Sequence, residues 1–438
     1  MNSKYVFFLF YCTLFANLTS LYFPLSTHVG LPLQVQGVCY IMSCLLVLFV
    51  ARDLAGRIFK NPWMFGLCLL VVVIPFFSIF YTPYAQLRDV ALVVLFFLLV
   101  FTTAVSVQVR GWSEMWRLIE ITLVVNILGL IFSFFQPYLF IQLFSGGAHE
   151  YVLGQGRAPG LFVNGNQSAK VITILTVAWL AMPRNCGKRL RLFAMISSSF
   201  VAIAMTGSRS SLLVYSFLAA IALIHYFFAR TGRKFNVFKV FLLVGPLMLP
   251  VMLAGFILAL KLITPYLADE HARGQSSLTA RLQTYAEGPA AIYEDFVEAA
   301  EGRFNVSAPY WYGAKEKPFL GHGVRSMFVM RHFSGLELIS HNTFVTFAYE
   351  YGFPYMVVFL MFLLFLLRLP FRQQAEAYFA QSLMLYFVVV VILFYMTIGT
   401  GHELRPIWIV LGGLVGLMVR PPAHLEKQGH PQPASIRR

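Results

Sequence analysis

Long apolar runs separated by short basic stretches are the feature that most constrains how this chain can fold. The runs are roughly 18–25 residues long, which is the length an α-helix needs to cross about 30 Å of hydrocarbon. Of the 438 residues, 59% are hydrophobic and 12% are charged. Soluble domains are nearer to roughly half apolar and a quarter charged. The sequence therefore predicts an all-α polytopic membrane protein.

Twelve runs are candidate transmembrane helices, and both chain ends should then lie on the same side of the membrane. The runs cover residues 5–23, 33–51, 62–81, 88–106, 117–136, 164–182, 191–206, 210–229, 239–262, 342–367, 377–398 and 405–419. The predicted organisation is nine helices in 1–262, a large loop in 263–340, three helices in 341–419 and a tail in 420–438. The tail is polar and rich in proline, which predicts disorder.

The distribution of Lys and Arg predicts the orientation of the chain in the membrane. One set of short loops and tails carries 20 of the 33 basic residues, and the opposite set carries four. Cytoplasmic loops carry the excess of Lys and Arg, so we expect both termini in the cytoplasm. The net charge of +15 is then explained by topology rather than by nucleic-acid binding.

The long loop, 263–340, is predicted to be extracytoplasmic and mostly helical. It holds nine of the 18 acidic residues, which marks it as a segment in contact with water. Residues 280–301 favour one kinked helix or a helix pair around Gly288-Pro289. None of the five cysteines lies in this loop, so we expect no disulfide framework and no zinc site.

Polar residues cluster at the extracytoplasmic helix ends, where each is costly unless it has a role. Arg209 lies in the short turn MTGSRSS and is either an interfacial, snorkelling arginine or an anion ligand. Asn164 and Asn166 are candidate caps for the helix that begins there, which would leave N–H groups pointing outward. Lys170, about one turn inside that helix, should snorkel or meet an anion such as a phosphate-bearing lipid.

The end of the loop supplies a second polar cluster. His341 and Asn342 lie where the chain re-enters the membrane, and a histidine there can take a proton from a hydroxyl. Glu350 follows about 13 Å down the helix axis. Its carboxylate is either an anchor for an inter-helix hydrogen bond or a partner for a basic residue. Arg281, which opens the loop helix, would alone be an ordinary exposed arginine.

Five segments, taken together, resemble the O-antigen ligase and polymerase superfamily of WaaL/Wzy-type proteins. They are GLFVNGNQSA at 160–169, TGSRSSLL at 206–213, ARLQTYAEG at 280–288, KPFLGHG at 317–323 and HNTFVTFAYEYGFP at 341–354. The resemblance covers roughly residues 155–365. Two departures are Tyr355, where the family has a final glycine, and Gly165, where Asn-Pro-Asn is common.

The resemblance implies glycosyl transfer at the periplasmic face of the bacterial inner membrane, with a glycan on undecaprenyl diphosphate as donor. Arg209 and Arg281 would grip the diphosphate, because the planar guanidinium suits phosphate oxygens. His341 would orient or deprotonate the acceptor hydroxyl. The further substrate-binding candidates are Asn342, Lys170, Arg157, Asn164, Asn166, Arg325 and Glu350.

No cofactor and no metal are expected, since a diphosphate is a good leaving group and the sequence has no Asp-x-Asp signature. No nucleophile for a covalent intermediate is evident, so we expect inversion at the anomeric carbon. The leading hypothesis is an O-antigen ligase that uses lipid A-core as acceptor and is surrounded by membrane lipids.

Three alternatives remain open. A Wzy-type polymerase uses the same donor, but polymerases more often have two comparable periplasmic loops. A protein-glycosylating ligase is a further member of the same superfamily. A lipid-linked glycan transporter would need polar residues along a path through the midplane, whereas here they gather at one face.

Overall fold

The computed structural model is built from α-helices joined by short turns. It describes residues 3–78, 80, 82, 87–145, 158–181, 189–208, 210–212, 214–220, 289–328, 330, 340–366, 379–397 and 405–418. The α-helices are α1 (Ser3–Leu18), α2 (Tyr22–His28), α3 (Leu33–Val50), α4 (Arg52–Phe59), α5 (Pro62–Cys68), α6 (Ile74–Ser78), α7 (Leu87–Arg110), α8 (Trp112–Phe135), α9 (Pro137–Ser145), α10 (Gly165–Leu180), α11 (Arg189–Met205), α12 (Pro289–Glu316), α13 (Thr343–Tyr351), α14 (Phe353–Leu366), α15 (Phe379–Thr397) and α16 (Arg405–Met418). A π-helical segment, Leu69–Val73, joins α5 to α6. The all-α class is confirmed for these residues.

Several of the twelve predicted spans coincide with one helix each. They are the spans that became α3, α7, α8, α10, α11, α15 and α16. The span at 239–262, the end of the span at 210–229 and the tail at 420–438 lie outside the described residues.

Two predicted spans are broken in the structure. The span at 342–367 is two helices, α13 and α14, because Gly352 between them adopts a left-handed φ of 87°. The span at 5–23 ends early as well. α1 stops at Leu18 and α2 starts at Tyr22, with Ser20 at a φ of 52° between them. Each break divides a predicted span into two helices, so that each helix is shorter than the span predicted from the sequence.

Among the described residues, one continuous helical segment, Ser113–Phe135, is long and apolar enough to cross a membrane, with 23 residues. Val35–Val50 and Arg52–Phe59 would together form a second, despite the 96° bend between them. Seven shorter apolar helices of 10–17 residues accompany these. The number of twelve membrane helices therefore stays a prediction.

Small residues bring α7 and α16 into close contact. A Cβ atom at Gly412 would lie 2.6 Å from the Val100 carbonyl oxygen, and one at Gly416 would lie 2.9 Å from that of Ala104. These glycines are four residues apart on one face of α16, the spacing that lets membrane helices approach through their backbones. α10 is the central helix, and its residues from Ser168 to Leu180 are all buried.

Contacts join loop segments that the charge count places on the same side. At one end, Arg191 pairs with Glu120, which links the starts of α11 and α8. At the other end, the Ala158 amide donates to the Met205 carbonyl (3.1 Å), and Thr82 donates to the His322 carbonyl (3.1 Å). Each of these contacts joins segments of the same predicted group, and the side of the membrane that each group faces stays a prediction.

The large loop contains a longer helix than the sequence suggests. α12 begins at Pro289, where a proline suits the first helical position because its missing N–H would have no intrahelical partner. It then continues to Glu316, beyond the predicted end at 301 and past Pro309. The predicted portion at 280–288 lies outside the described residues.

Candidate functional site

The start of α10 is a capped helix end, as the sequence predicts for Asn164. Its side-chain oxygen accepts hydrogen bonds from the amides of Asn166 (3.0 Å) and Gln167 (3.2 Å). Asn166 is therefore the second residue of the helix rather than a cap, and it is exposed. The cap leaves the positive end of the helix dipole at this surface.

The turn after α11 packs directly against this helix start. A Cβ atom at Gly165 would lie 2.9 Å from the Ala158 carbonyl oxygen and 3.2 Å from that of Thr206. Only a glycine fits so close to two backbones. The structure therefore brings the first two motifs together. Arg209, which continues the turn, and Arg157, which precedes Ala158, lie outside the described residues.

Lys170 is buried in the helix bundle rather than snorkelling to the surface. Its side chain and backbone together are 9% exposed, and its ammonium lies 5.9 Å from the centroid of the Tyr395 ring. Tyr395 belongs to the last turn of α15, whose final residue is Thr397. The start of α10 is thereby placed beside the end of α15.

The start of α13 is built like that of α10. The Asn342 side-chain oxygen accepts from the amides of Phe344 (2.9 Å) and Val345 (3.1 Å). Ser340, just before, donates its hydroxyl to the Ser307 hydroxyl of α12 (3.3 Å). His341 lies between these two anchored residues and is half-buried. The geometry fixes the backbone on both sides of this histidine.

His341 opens into a pocket of about 460 Å³ between α12, α13 and the end of α15. The pocket is lined by Phe304, Ser307, Ala308, Trp311, Tyr312, Lys315, His341, Asn342, Val345 and Thr397. The six α12 residues follow the three- and four-residue spacing of one helix face. Aromatic rings, one lysine and hydroxyl groups thus surround the imidazole.

Thr397 connects this pocket to the first two motifs. It lines the pocket, and it lies two residues after Tyr395, over which the Lys170 ammonium rests. The capped starts of α10 and α13 therefore lie at the same end of the bundle, on either side of the end of α15. The chain brings together motifs that are about 180 residues apart in sequence.

The KPFLGHG segment is a turn fastened to the junction of α13 and α14. The His322 amide donates to the Tyr349 carbonyl (2.8 Å), the Gly323 amide to the Glu350 carbonyl (2.7 Å), and the Phe353 amide to the Pro318 carbonyl (2.8 Å). Gly321 and Gly323 have φ values of 66° and 92°. This turn holds the end of the loop to α13, the helix that begins two residues after His341.

Replacing Gly321 with alanine is expected to lower the free energy of unfolding by about 2–5 kcal/mol. A Cβ atom there would lie 2.5 Å from the backbone of Glu350, and left-handed strain of ~1–2 kcal/mol adds to overpacking of ~1–3 kcal/mol. Thermal unfolding of the detergent-purified protein measures the change. Gly302→Ala on α12 is the matched control, because nothing lies within 4 Å of its Cβ position.

His322 is a structural histidine within this turn. Its Nε2 donates to the Gly313 carbonyl (2.9 Å), and its ring stacks on Tyr349 with centroids 4.5 Å apart. It therefore ties α12 to α13. The sequence interpretation did not single out His322, because its partners Gly313 and Tyr349 are distant in the sequence.

Of the three remaining candidates, Arg281 lies outside the described residues, and the other two do not line the His341 pocket. Glu350 is buried near the end of α13 (6% exposed), and its backbone carbonyl accepts from the turn. Arg325 follows the turn and lines a different pocket, together with Arg405. The two pockets have no lining residue in common. The structure therefore separates Arg325 from His341, and the sequence interpretation did not single out Arg405.

The described residues form an apolar helical bundle with two capped helix starts at one end, an architecture typical of helical membrane proteins. Residues 192–360, from α11 to α14, match the family model described as O-antigen ligase. The match confirms the resemblance to the O-antigen ligase and polymerase superfamily, whose members are membrane-integral, glycosyltransferase-like enzymes. No curated protein sequence matches the chain.

The matched region contains some of the candidate residues and not others. His341, Asn342, Glu350 and Arg325 lie inside it, as do Arg209 and Arg281. Lys170 and the two asparagines at the start of α10 precede it. Their link to the site therefore depends on the contact of α10 with α15 and on the motif resemblance.

Proposed function

We propose that this protein is an O-antigen ligase of the bacterial inner membrane. It transfers a polysaccharide from undecaprenyl diphosphate to the lipid A-core oligosaccharide at the periplasmic face, with both termini in the cytoplasm. The family match supports the coarser statement that the chain is an O-antigen ligase or polymerase type of protein. The donor, the acceptor and the side of the membrane are the proposed refinements.

The observation that carries the proposal is that His341 lines the α12 pocket. The histidine lies between an anchored serine and a capping asparagine, so its backbone position is fixed before substrate binds. Such preorganisation is what a group that handles a proton in the transition state requires. The aromatic rings and hydroxyls of the pocket wall suit a sugar, whose ring faces are apolar and whose edges are polar.

In the proposed step, an acceptor sugar hydroxyl approaches His341 from the pocket. Its oxygen attacks the anomeric carbon of the donor glycan, and its proton passes to the imidazole nitrogen. The bond from the anomeric carbon to the diphosphate oxygen breaks, and the undecaprenyl diphosphate leaves with the electron pair. A single displacement of this kind inverts the anomeric configuration.

Arg209 and Arg281 supply positive charge to the leaving diphosphate in this proposal. Charge grows on the departing oxygens in the transition state, where fixed cations lower the barrier. The turn that leads to Arg209 supports its proposed position beside the diphosphate, since Thr206 in this turn packs on the start of α10. The capped N-terminus of α10 adds the positive end of the helix dipole to the same anion site.

A deletion strain of the source bacterium tests the function directly. We expect loss of ligation, so that polymerised glycan stays on its lipid carrier while lipid A-core remains uncapped. Gel analysis of lipopolysaccharide, with a separate assay of carrier-linked glycan, measures both pools. Single-unit caps on lipid A-core would instead identify a polymerase, and loss of periplasmic carrier-linked glycan would identify a transporter. Complementation with the intact chain is the control.

A further inference from the structure

A second pocket, of about 820 Å³, lies between α1, α2, α3 and α7. It is lined by Cys12, Thr13, Ala16, Asn17, Tyr22, Leu25, Leu31, Gln36, Gly37, Val38, Cys39, Tyr40, Ile41, Ala91, Leu95, Arg325 and Arg405. We call it the two-arginine pocket. Most of its wall is apolar, and the mechanism proposed above uses none of it.

The charge of this pocket is entirely positive over its described lining. Its only charged residues there are the two arginines, and the described lining includes neither aspartate nor glutamate. A guanidinium presents parallel N–H groups that fit phosphate oxygens. The charge pattern therefore favours a phosphate group as ligand.

Both arginines are held in position by neighbouring residues. Arg405 donates from Nη1 to the Asn17 side-chain oxygen (2.7 Å), and its guanidinium carbon lies 4.6 Å from the centroid of the Tyr22 ring. Arg325 has its guanidinium carbon 4.5 Å from the centroid of the Phe328 ring. Arg325 also adopts a left-handed φ of 59°, which is rare for a non-glycine residue. Such strained positions persist where the surroundings determine them.

The apolar wall continues from the arginines onto the outer surface of α3. Val38 is 59% exposed and Val35, one turn earlier on α3, is 43% exposed. Cys12 and Cys39 are also exposed. A hydrocarbon chain could lie along this surface while its head reaches the arginines. The pocket thus combines a phosphate-binding end with a lipid-facing side.

We propose that the two-arginine pocket binds the phosphate head of a membrane lipid, at a site separate from the His341 pocket. The arginines hold the phosphate oxygens, and the acyl chain lies along α1 and α3. Arg325 directly follows the turn that is bonded to α13. A lipid in this pocket is therefore connected through a few residues of backbone to the helix that carries His341. The proposal does not depend on the ligase activity.

Photocrosslinking of the full chain tests the site. The protein is purified in dodecyl maltoside, and the probe is a phosphatidic acid with a photoreactive acyl chain. We expect labelled peptides from α1 and α3, and competition by unlabelled phosphatidic acid but not by diacylglycerol. Labelling confined to other helices would overturn the proposal. So would equal competition by inorganic pyrophosphate, which would show a site for a soluble anion.

Substitutions distinguish a role of the two arginines in lipid binding from a role in folding. Arg325→Gln and Arg405→Gln should each weaken phosphatidic acid binding about tenfold, as expected for loss of a charge-assisted hydrogen bond, and the double variant should weaken it further. Val38→Asp is a second route, because it adds a carboxylate to an exposed part of the wall while leaving both arginines in place. It should lower binding without unfolding the protein.

Arg52→Gln is the matched control, since Arg52 is an arginine at the start of α4 with a side chain 78% exposed. It should bind phosphatidic acid as the parent chain does. The double arginine variant and Val38→Asp should have the elution profile and the unfolding temperature of the parent chain. If both variants still bound phosphatidic acid unchanged, the two-arginine pocket would be refuted as a lipid site.

Discussion

Replacing His341 with alanine is expected to lower glycan transfer by about 100-fold or more, the usual contribution of a positioned general base. The imidazole is the proposed acceptor of the hydroxyl proton, and the described lining of its pocket contains no other histidine and no carboxylate. Because Asn342 provides the helix cap and Ser340 contacts α12, removal of this half-buried ring should leave the fold intact. Lipopolysaccharide gels of a complemented deletion strain measure the effect at normal expression.

Two other histidines make this test specific. His28→Ala, at an exposed position on α2, should retain full transfer. His322→Ala should instead lower the unfolding temperature, because it removes the hydrogen bond to Gly313 and the stacking on Tyr349. Full smooth lipopolysaccharide from the His341→Ala strain, at unchanged protein level, would show that the proposed acceptor role is wrong.

Arg281→Ala and Arg209→Ala are each expected to lower transfer by roughly 100- to 1,000-fold, the effect of removing one fixed group that stabilises developing negative charge. Substitution by lysine should restore only part of the activity, because an ammonium cannot bind two phosphate oxygens as a guanidinium does. Transfer to lipid A-core in membranes, with an immunoblot for protein amount, measures the loss.

A matched arginine at the other end of the bundle controls for charge. Arg57→Ala, on the exposed face of α4, should leave transfer unchanged. Normal transfer by either the Arg281 or the Arg209 variant would remove that residue from the diphosphate clamp. A variant protein that no longer accumulates would point to a structural role in place of a catalytic one.

Much of the helical framework follows from the sequence because apolar length is a local property. The runs that became α7, α8 and α10 are continuous, and the helices end within a few residues of the predicted positions. Asn164 and Asn342 were likewise recognisable, since an asparagine before an apolar helical run is a capping signal. Hydropathy and capping each depend on a few neighbouring residues.

The features that the sequence did not reveal depend on contacts between distant segments. Gly352 breaks a predicted span because the next amide, that of Phe353, donates to Pro318 in the loop. The continuation of α12 to Glu316 was missed because its polar residues suggest an end near 301. Its pocket face, which includes Trp311 and Lys315, repeats at helical spacing and could have been found. The separation of Arg325 from His341 required the three-dimensional structure.

The turn at KPFLGHG has a consequence for how such proteins diversify. Its three bonds to α13 and α14 run from backbone amide to backbone carbonyl, so the sequence of the loop can drift at most non-glycine positions without moving the turn. The α12 side chains that line the pocket can then change to accommodate different sugars while His341 keeps its position. Under the proposed function, substrate preference and chemical competence would be carried by separate parts of the chain, and selection could act on one without loss of the other.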